Sequence, residues 1–217
     1  KTNQAQLRLL LKPGDSFALH NLSLGITEPA AYTLQFFVDN EGVPSTGEIE
    51  YGAYYHGYDM LGADDNLTLY ATATGGSVAG TVSYDIPITT SGTRIAGSYT
   101  RSGIAVIDGP TEPLDITGTS QAASVTLSQP LIATTDWSVQ ASLSGVYGTS
   151  TSDAGAVPLV DSETTKIAAG LGITYTGTGR TFSFNPQLIY ANANDHLSGT
   201  SADILLAAGT ASGAFSL

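Results

Sequence analysis

The chain has 217 residues, with 7 Lys and Arg against 19 Asp and Glu, a net charge of −12. So few cations exclude a nucleic-acid binder, which needs clustered Lys and Arg to neutralise phosphates, and the absence of cysteine excludes a disulfide scaffold or a thiolate metal site. Charged residues are only 12% of the chain while hydrophobic ones reach 41%, about half the charge expected of a soluble domain.

The first segment, Gln6 to Lys12, reads as a short strand ending at Pro13-Gly14. Ala18 to Thr27 alternates, with Leu22, Leu24 and Ile26 on one face, and Glu28-Pro29 stops it because proline cannot donate to a ladder. The pair reads as the closing hairpin of a small domain, followed by a hinge at Pro29-Ala30-Ala31. A lone hairpin is not stable, so the rest of that domain is expected on the N-terminal side. The chain starts at Lys1 with no signal peptide before it, which fits a mature or trimmed segment.

From Tyr32 onward the pattern is period 2, in segments of roughly ten residues broken by Gly, Asp, Asn, Thr and Pro. Strands are expected at Tyr32–Asp39, Glu48–His56, Asn66–Thr74, Val78–Ile88, Thr93–Val106, Ser120–Leu131, Trp137–Tyr147, Thr165–Tyr175 and Thr181–Tyr190, with a fainter one within Asp203–Leu217. In the clearest of them Trp137, Val139, Ala141, Leu143 and Tyr147 oppose Ser138, Gln140, Ser142 and Ser144. Tight turns are expected at 89–92, 133–136 and 177–179, and longer loops at 57–65, 108–118 and 148–164. No window holds eighteen uncharged apolar residues, so no transmembrane helix is expected.

Two architectures use such an antiparallel meander. A soluble β-sandwich would bury the apolar face and turn the polar face to water. An up-and-down transmembrane barrel would turn the apolar face to lipid and line a lumen with the polar one. The polar face here is Ser, Thr, Gln, Asn and Gly with few charges, and aromatics close the apolar stripe at its ends, which favours the barrel. In that reading Glu48, Glu50, Asp85, Arg94, Gln140 and Lys166 line the lumen. Leu67, Leu69, Val82, Trp137, Val139, Leu143, Ile173 and Phe184 face lipid.

Catalytic chemistry finds no foothold. His20, His56 and His196 stand at no metal-ligand spacing. Asp59, Asp64 and Asp65 share a loop without the order of a calcium site, and Asp108, Glu112 and Asp115 do the same. Glu48 and Glu50 share a face but sit too close to a turn to define a hydrolytic cleft. Neither a cofactor nor an enzymatic activity is expected.

The order of certain stretches resembles a known family. Leu11-Lys-Pro-Gly14, Leu22-Ser-Leu-Gly-Ile-Thr-Glu-Pro29 and Val38-Asp-Asn-Glu-Gly-Val-Pro-Ser-Thr-Gly47 are followed by Met60-Leu-Gly62-Ala-Asp-Asp65-x-Leu67. Then come Val82-Ser-Tyr-Asp-Ile-Pro87, Gly92-Thr-Arg-Ile95, Ser98-Tyr-Thr-Arg-Ser102 and Ser124-Val-Thr-Leu-Ser-Gln-Pro-Leu131. This succession, over roughly residues 7 to 146, resembles the junction of the second POTRA domain with the barrel in two-partner-secretion transporters, the TpsB branch of the Omp85 superfamily. Met60 departs from the family's usual Asn or Leu, and neither the family's Val-Arg-Gly-Phe element nor its terminal insertion strand occurs in the chain. The resemblance implies the C-terminal part of a POTRA-like periplasmic domain at 1–29 and the N-terminal part of an outer-membrane barrel at 30–217, nine or ten strands of the family's sixteen. It implies export of a large secreted partner, unfolded in transit, from periplasm to cell surface, with outer-membrane lipid around the wall and no nucleic acid. A soluble adhesin-type binding module and a porin-like solute channel are the alternatives.

Overall fold

The computed structural model describes residues 6–13, 20–27 and 30–196, and the fainter strand expected at Asp203–Leu217 lies outside them. Strands β1 (Gln6–Pro13) and β2 (His20–Thr27) form a two-stranded antiparallel sheet of their own, registered from Gln6↔Thr27 to Pro13↔His20. Leu9 and its partner Leu24 are 64% and 56% exposed.

All remaining strands form one antiparallel meander. They are β3 (Tyr32–Asp39), β4 (Glu50–Tyr58), β5 (Asn66–Ala73), β6 (Ser77–Pro87), β7 (Arg94–Ala105), β8 (Ile116–Ala133), β9 (Trp137–Ala154), β10 (Val157–Gly177), β11 (Arg180–Phe184) and β12 (Gln187–Asp195). Each pairs with its sequence neighbour, except that β11 and β12 both lie beside β10. They are two pieces of one strand position, interrupted at Asn185-Pro186. Proline brings no N–H to the ladder there, while its carbonyl still accepts from Leu171 N–H at 3.0 Å. Among the described residues no ladder joins β3 to β11 or β12, and the meander of these residues does not close on itself.

The chain enters the sheet at Tyr32, and that end is called proximal. It carries the connections 59–65, 88–93, 134–136 and 178–179; the distal end carries 40–49, 74–76, 106–115 and 155–156. The segment 57–65, expected as one of the longer loops, contributes the 59–65 connection at the same end as the tight turns. The 148–164 segment is also not a loop. It is ladder on both sides of a hairpin turn at Gly155-Ala156, with β9 and β10 paired from Thr149↔Glu163 up to Ala154↔Val157. Beyond Tyr147 both faces carry Ser, Thr and acidic residues, so no alternation marks the strand, although backbone pairing continues. The irregular registers at Pro130/Ile132 and Pro158/Val160 fall beside prolines, where a ladder donor is missing.

The distal loop after β3 is stitched across its neighbours. Its short 3-10 turn spans Pro44–Thr46. Thr46 O accepts from Gly76 N–H at 2.7 Å and from the Thr74 hydroxyl at 2.5 Å, and Ser45 O accepts from Ile107 N–H at 2.8 Å. Gly42 N–H donates to Glu48 O at 3.1 Å, and a Cβ at Gly42 would collide with the carbonyl oxygens of Gly47 and Glu48. Glu48 thus belongs to this loop, and the strand opens at Glu50 instead of Glu48.

The two faces of the sheet differ in kind. One carries Tyr32, Leu34, Phe36, Val38, Tyr55, Leu69, Val82, Tyr99, Val125, Leu127, Leu143 and Ile167, placed in register across neighbouring strands. These side chains are uncovered: Phe36 is 75% exposed, Val125 56% and Leu143 51%. Among the described residues the only buried apolar side chains are Ala191 and Ala193. Among the described residues no second sheet packs on this face, as a sandwich would require. The opposite face is concave, because the proximal connections of β4–β5 and β6–β7 and the proximal ends of β8 and β9 line one shared cavity of about 830 Å³.

Candidate functional site: the concave polar wall

The concave face begins, on β3 to β5, as an aromatic shelf. Phe37, Tyr54, His56, Tyr58 and Tyr70 share it by register. Phe37 reaches across β4 to Tyr70, ring centroids 6.3 Å apart, and Gly52 between them leaves room, since a Cβ there would run into the Phe37 ring. His56 lies 4.0 Å from the Tyr58 ring centroid and 6.3 Å from that of Tyr54, and its Nδ1 is 2.9 Å from the Thr68 hydroxyl. The sequence pattern missed this shelf because Tyr51 to Tyr58 is aromatic on both faces and shows no alternation.

From β6 to β9 the wall is hydroxyl-rich. Thr81 and Thr100 meet at 3.0 Å and Ser98 and Ser124 at 2.7 Å, side by side across neighbouring strands. Such groups hydrogen-bond one another or water equally well, so the wall is wettable without holding a fixed charge.

An ionic cluster ties the proximal rim to this wall. Arg94, on β7, donates through Nε to Asp85 Oδ1 at 2.6 Å and through its terminal nitrogens to Asp64 Oδ2 at 3.1 Å and Asp64 O at 2.8 Å. Asn66 Nδ2 donates to Asp85 Oδ1 at 3.4 Å. The 59–65 connection is also built from within: Asp64 N–H donates to Asp59 Oδ1 at 2.7 Å and Asp59 N–H to Asp65 O at 2.7 Å. Asp65 is fully buried and accepts from Leu61 N–H at 2.9 Å and from the Tyr84 hydroxyl at 2.9 Å. These contacts give a structural reason for the Met60-Leu-Gly-Ala-Asp-Asp65 stretch.

Burial alone would raise the Asp65 carboxyl, but the bonds from Leu61 N–H, the Tyr84 hydroxyl and neighbouring backbone outweigh it and hold the group below its ordinary 3.8. A carboxylate lowered in the folded state stabilises it above the unfolded value, and that stabilisation is lost as pH falls through the folded one. Protection of Leu61 N–H against hydrogen exchange is therefore expected to hold from neutrality down to about pH 4 and to fall below that. Asp65→Asn should remove the step.

The residues expected to line a lumen separate into groups. Asp85, Arg94, Gln140, Lys166 and Glu50 lie on the concave face by register, Glu50 opposite Asp39 and Lys166 opposite Val146, while Glu48 stands on the distal loop. Only Asp85 and Arg94 are in direct contact. Leu67, Leu69, Val82, Trp137, Val139, Leu143, Ile173 and Phe184 all lie on the convex face. There Trp137 and Tyr175 close the stripe proximally, ring centroids 4.9 Å apart, and Tyr147 closes it distally on β9. The ten residue steps from Trp137 to Tyr147 span about 33 Å along a strand, or about 25 Å of height at the usual barrel tilt. That height equals the apolar band of an outer-membrane barrel. Among the described residues no group of three or more His, Asp or Glu side chains is arranged to hold a metal ion.

No family model matches the chain, and no curated protein sequence matches it. Among solved structures it is similar to CdiB from Escherichia coli, with 18% identity, 91% of this chain covered and a TM-score of 0.66. It is also similar to CdiB from Acinetobacter baumannii, with 12% identity, 88% covered and a TM-score of 0.60. The chain spans 38% of the length of each. The protein is an all-β chain whose antiparallel meander has the fold of part of a β-barrel wall, as found in these two proteins.

Proposed function

We propose that the chain is part of an outer-membrane β-barrel that passes a large secreted partner protein from the periplasm to the cell surface. The observation that carries this reading is the separation of faces: an uncovered apolar stripe of membrane height, closed by aromatics, backs a concave wall of hydroxyls, amides and glycines. The ordered stretches between residues 7 and 146 resemble two-partner-secretion transporters, and the fold is similar to that of CdiB, a transporter of that kind. The convex residues from Leu67 to Phe184 then meet lipid, and Asp85, Arg94, Gln140 and Lys166 border the lumen. The proximal end faces the periplasm, where residues 1–29 are the end of a POTRA-like domain. Export by this route needs no nucleotide: a wettable wall lets an unfolded chain slide, and folding outside makes the passage directional.

Deleting the gene in its host bacterium tests the reading. The account expects a large exoprotein to disappear from the cell surface and medium and to return with the intact gene. Unchanged secretion together with loss of small-solute uptake would replace the exporter with a porin-like channel.

A further inference from the structure

We propose that the concave wall holds a peptide-backbone subsite: a notch floored by Gly170 and Gly172, where the carboxamides of Gln140, Asn185 and Gln187 hydrogen-bond the main chain of a passing extended polypeptide. The inference deepens the export reading and rests on it. The notch encloses about 400 Å³ and exists because of two local features. The first is the pair of glycines at inward positions of β10. A Cβ at Gly170 would come within 3.0 Å of Ser142 Oγ and 3.5 Å of Gln187 Cγ, and one at Gly172 within 3.3 Å of Asn185 Oδ1, so any side chain there would occupy the space. The second is the break between β11 and β12, which takes Asn185 out of the ladder and sets it beside Gln187.

The chemistry of the lining selects the ligand. No ionisable side chain lines the notch, so neither a phosphate nor a cation is favoured. No aromatic ring lines it either, so a sugar ring has no platform to stack on. What remains are three carboxamides and the hydroxyls of Thr126, Ser128 and Ser142, none of which has a protein hydrogen-bond partner among the described residues. Gln129, next to Ser128 on β8 but on the other face, is the contrast: its amide donates to Pro130 O at 2.7 Å and accepts from the Thr93 hydroxyl. A carboxamide offers one acceptor and two donors in a plane, the complement of a peptide unit. Such neutral bonds are individually weak, which suits a contact that must form and release as a chain moves through.

The test uses the full-length protein in detergent micelles and fluorescence anisotropy of a dye-labelled, unstructured Gly-Ser 20-mer. Competitors are the unlabelled peptide, the same peptide with sarcosine for glycine, which lacks those N–H donors, and maltohexaose. The account expects the plain peptide to bind and compete and the sarcosine peptide to compete poorly. Gln140→Leu/Gln187→Leu should weaken binding roughly tenfold, the loss of one to two neutral hydrogen bonds. Gly172→Ala, which fills the notch without removing an amide, should weaken it as well. Wild-type electrophoretic mobility shifts on heating establish that each variant is folded. Absence of peptide binding, equal binding by the folded variants, equal competition by the sarcosine peptide, or competition by maltohexaose alone would overturn the proposal. If the exoprotein is still secreted in any of these cases, the export reading stands and the notch fails. Intact notch binding with no exoprotein dependent on the gene would instead overturn the export reading.

Discussion

Leu143→Arg is expected to block assembly of the protein into membranes, while Ser144→Arg, one residue along the same strand, is tolerated. Leu143 lies on the convex face between Leu127 of β8 and Ala169 of β10, near the middle of the stripe between Trp137 and Tyr147, and is 51% exposed. At that depth an arginine would meet hydrocarbon, at a cost of about 2–4 kcal/mol. Ser144 lies on the concave face between Thr126 and Ala168, where a cation meets water. The measurement is the heat-modifiable, membrane-inserted fraction by cold electrophoresis. The contrast between adjacent residues matters more than either value, because a strand inverts its faces at every step.

Arg94→Leu is expected to loosen the proximal rim. The change leaves Asp64 and Asp85 facing one another without a shared cation and strips Asp64 O of a donor. The three side chains are 21% to 32% exposed, so water screens part of the loss, and about 1–3 kcal/mol is expected. Arg94→Lys should restore little, since one ammonium cannot reproduce the forked donors that reach both carboxylates and the carbonyl. Arg94→Leu/Asp85→Leu should recover part of the stability, because it also removes the Asp85 carboxylate that has lost its cation. Thermal loss of the compact electrophoretic form measures the first effect. Limited proteolysis within 59–65 measures the second, with faster cleavage in Arg94→Leu than in the double variant.

Where the two faces differ in polarity, the strands were legible from alternation alone. Tyr32–Asp39 was expected at its observed bounds, and Asn66–Ala73 and Ser77–Pro87 to within one residue at each end. The signal ends where the apolar stripe ends. Residues 148–164 read as a loop because Thr149, Ser150, Thr151 and Ser152 give both faces the same polarity, yet these four residues pair with both neighbouring strands without a break. The two-residue spacing of Glu48 and Glu50 reads as one strand face, but the bond from Gly42 N–H to the Glu48 carbonyl holds Glu48 in the loop. Of the candidate wall residues, the side of the sheet was legible for Asp85, Arg94 and Gln140 from parity. Their partners were not: the Arg94–Asp64 contact joins a strand to a connection thirty residues earlier. The notch depends on a strand break at Pro186 beside two glycines of another strand, a juxtaposition that no local pattern encodes.

The proposed function requires the apolar stripe to face hydrocarbon and the polar stripe to face water. The chain contains no cysteine, so nitroxide labels can be placed one at a time from 138 to 145 on β9 and their collision rates with oxygen and with a water-soluble nickel chelate measured in bilayers. The account predicts a strict two-residue period, with 139, 141, 143 and 145 open to oxygen and 138, 140, 142 and 144 open to nickel. Equal nickel access at odd and even positions, or immobile labels at 141 and 143 shielded from both reagents, would contradict it.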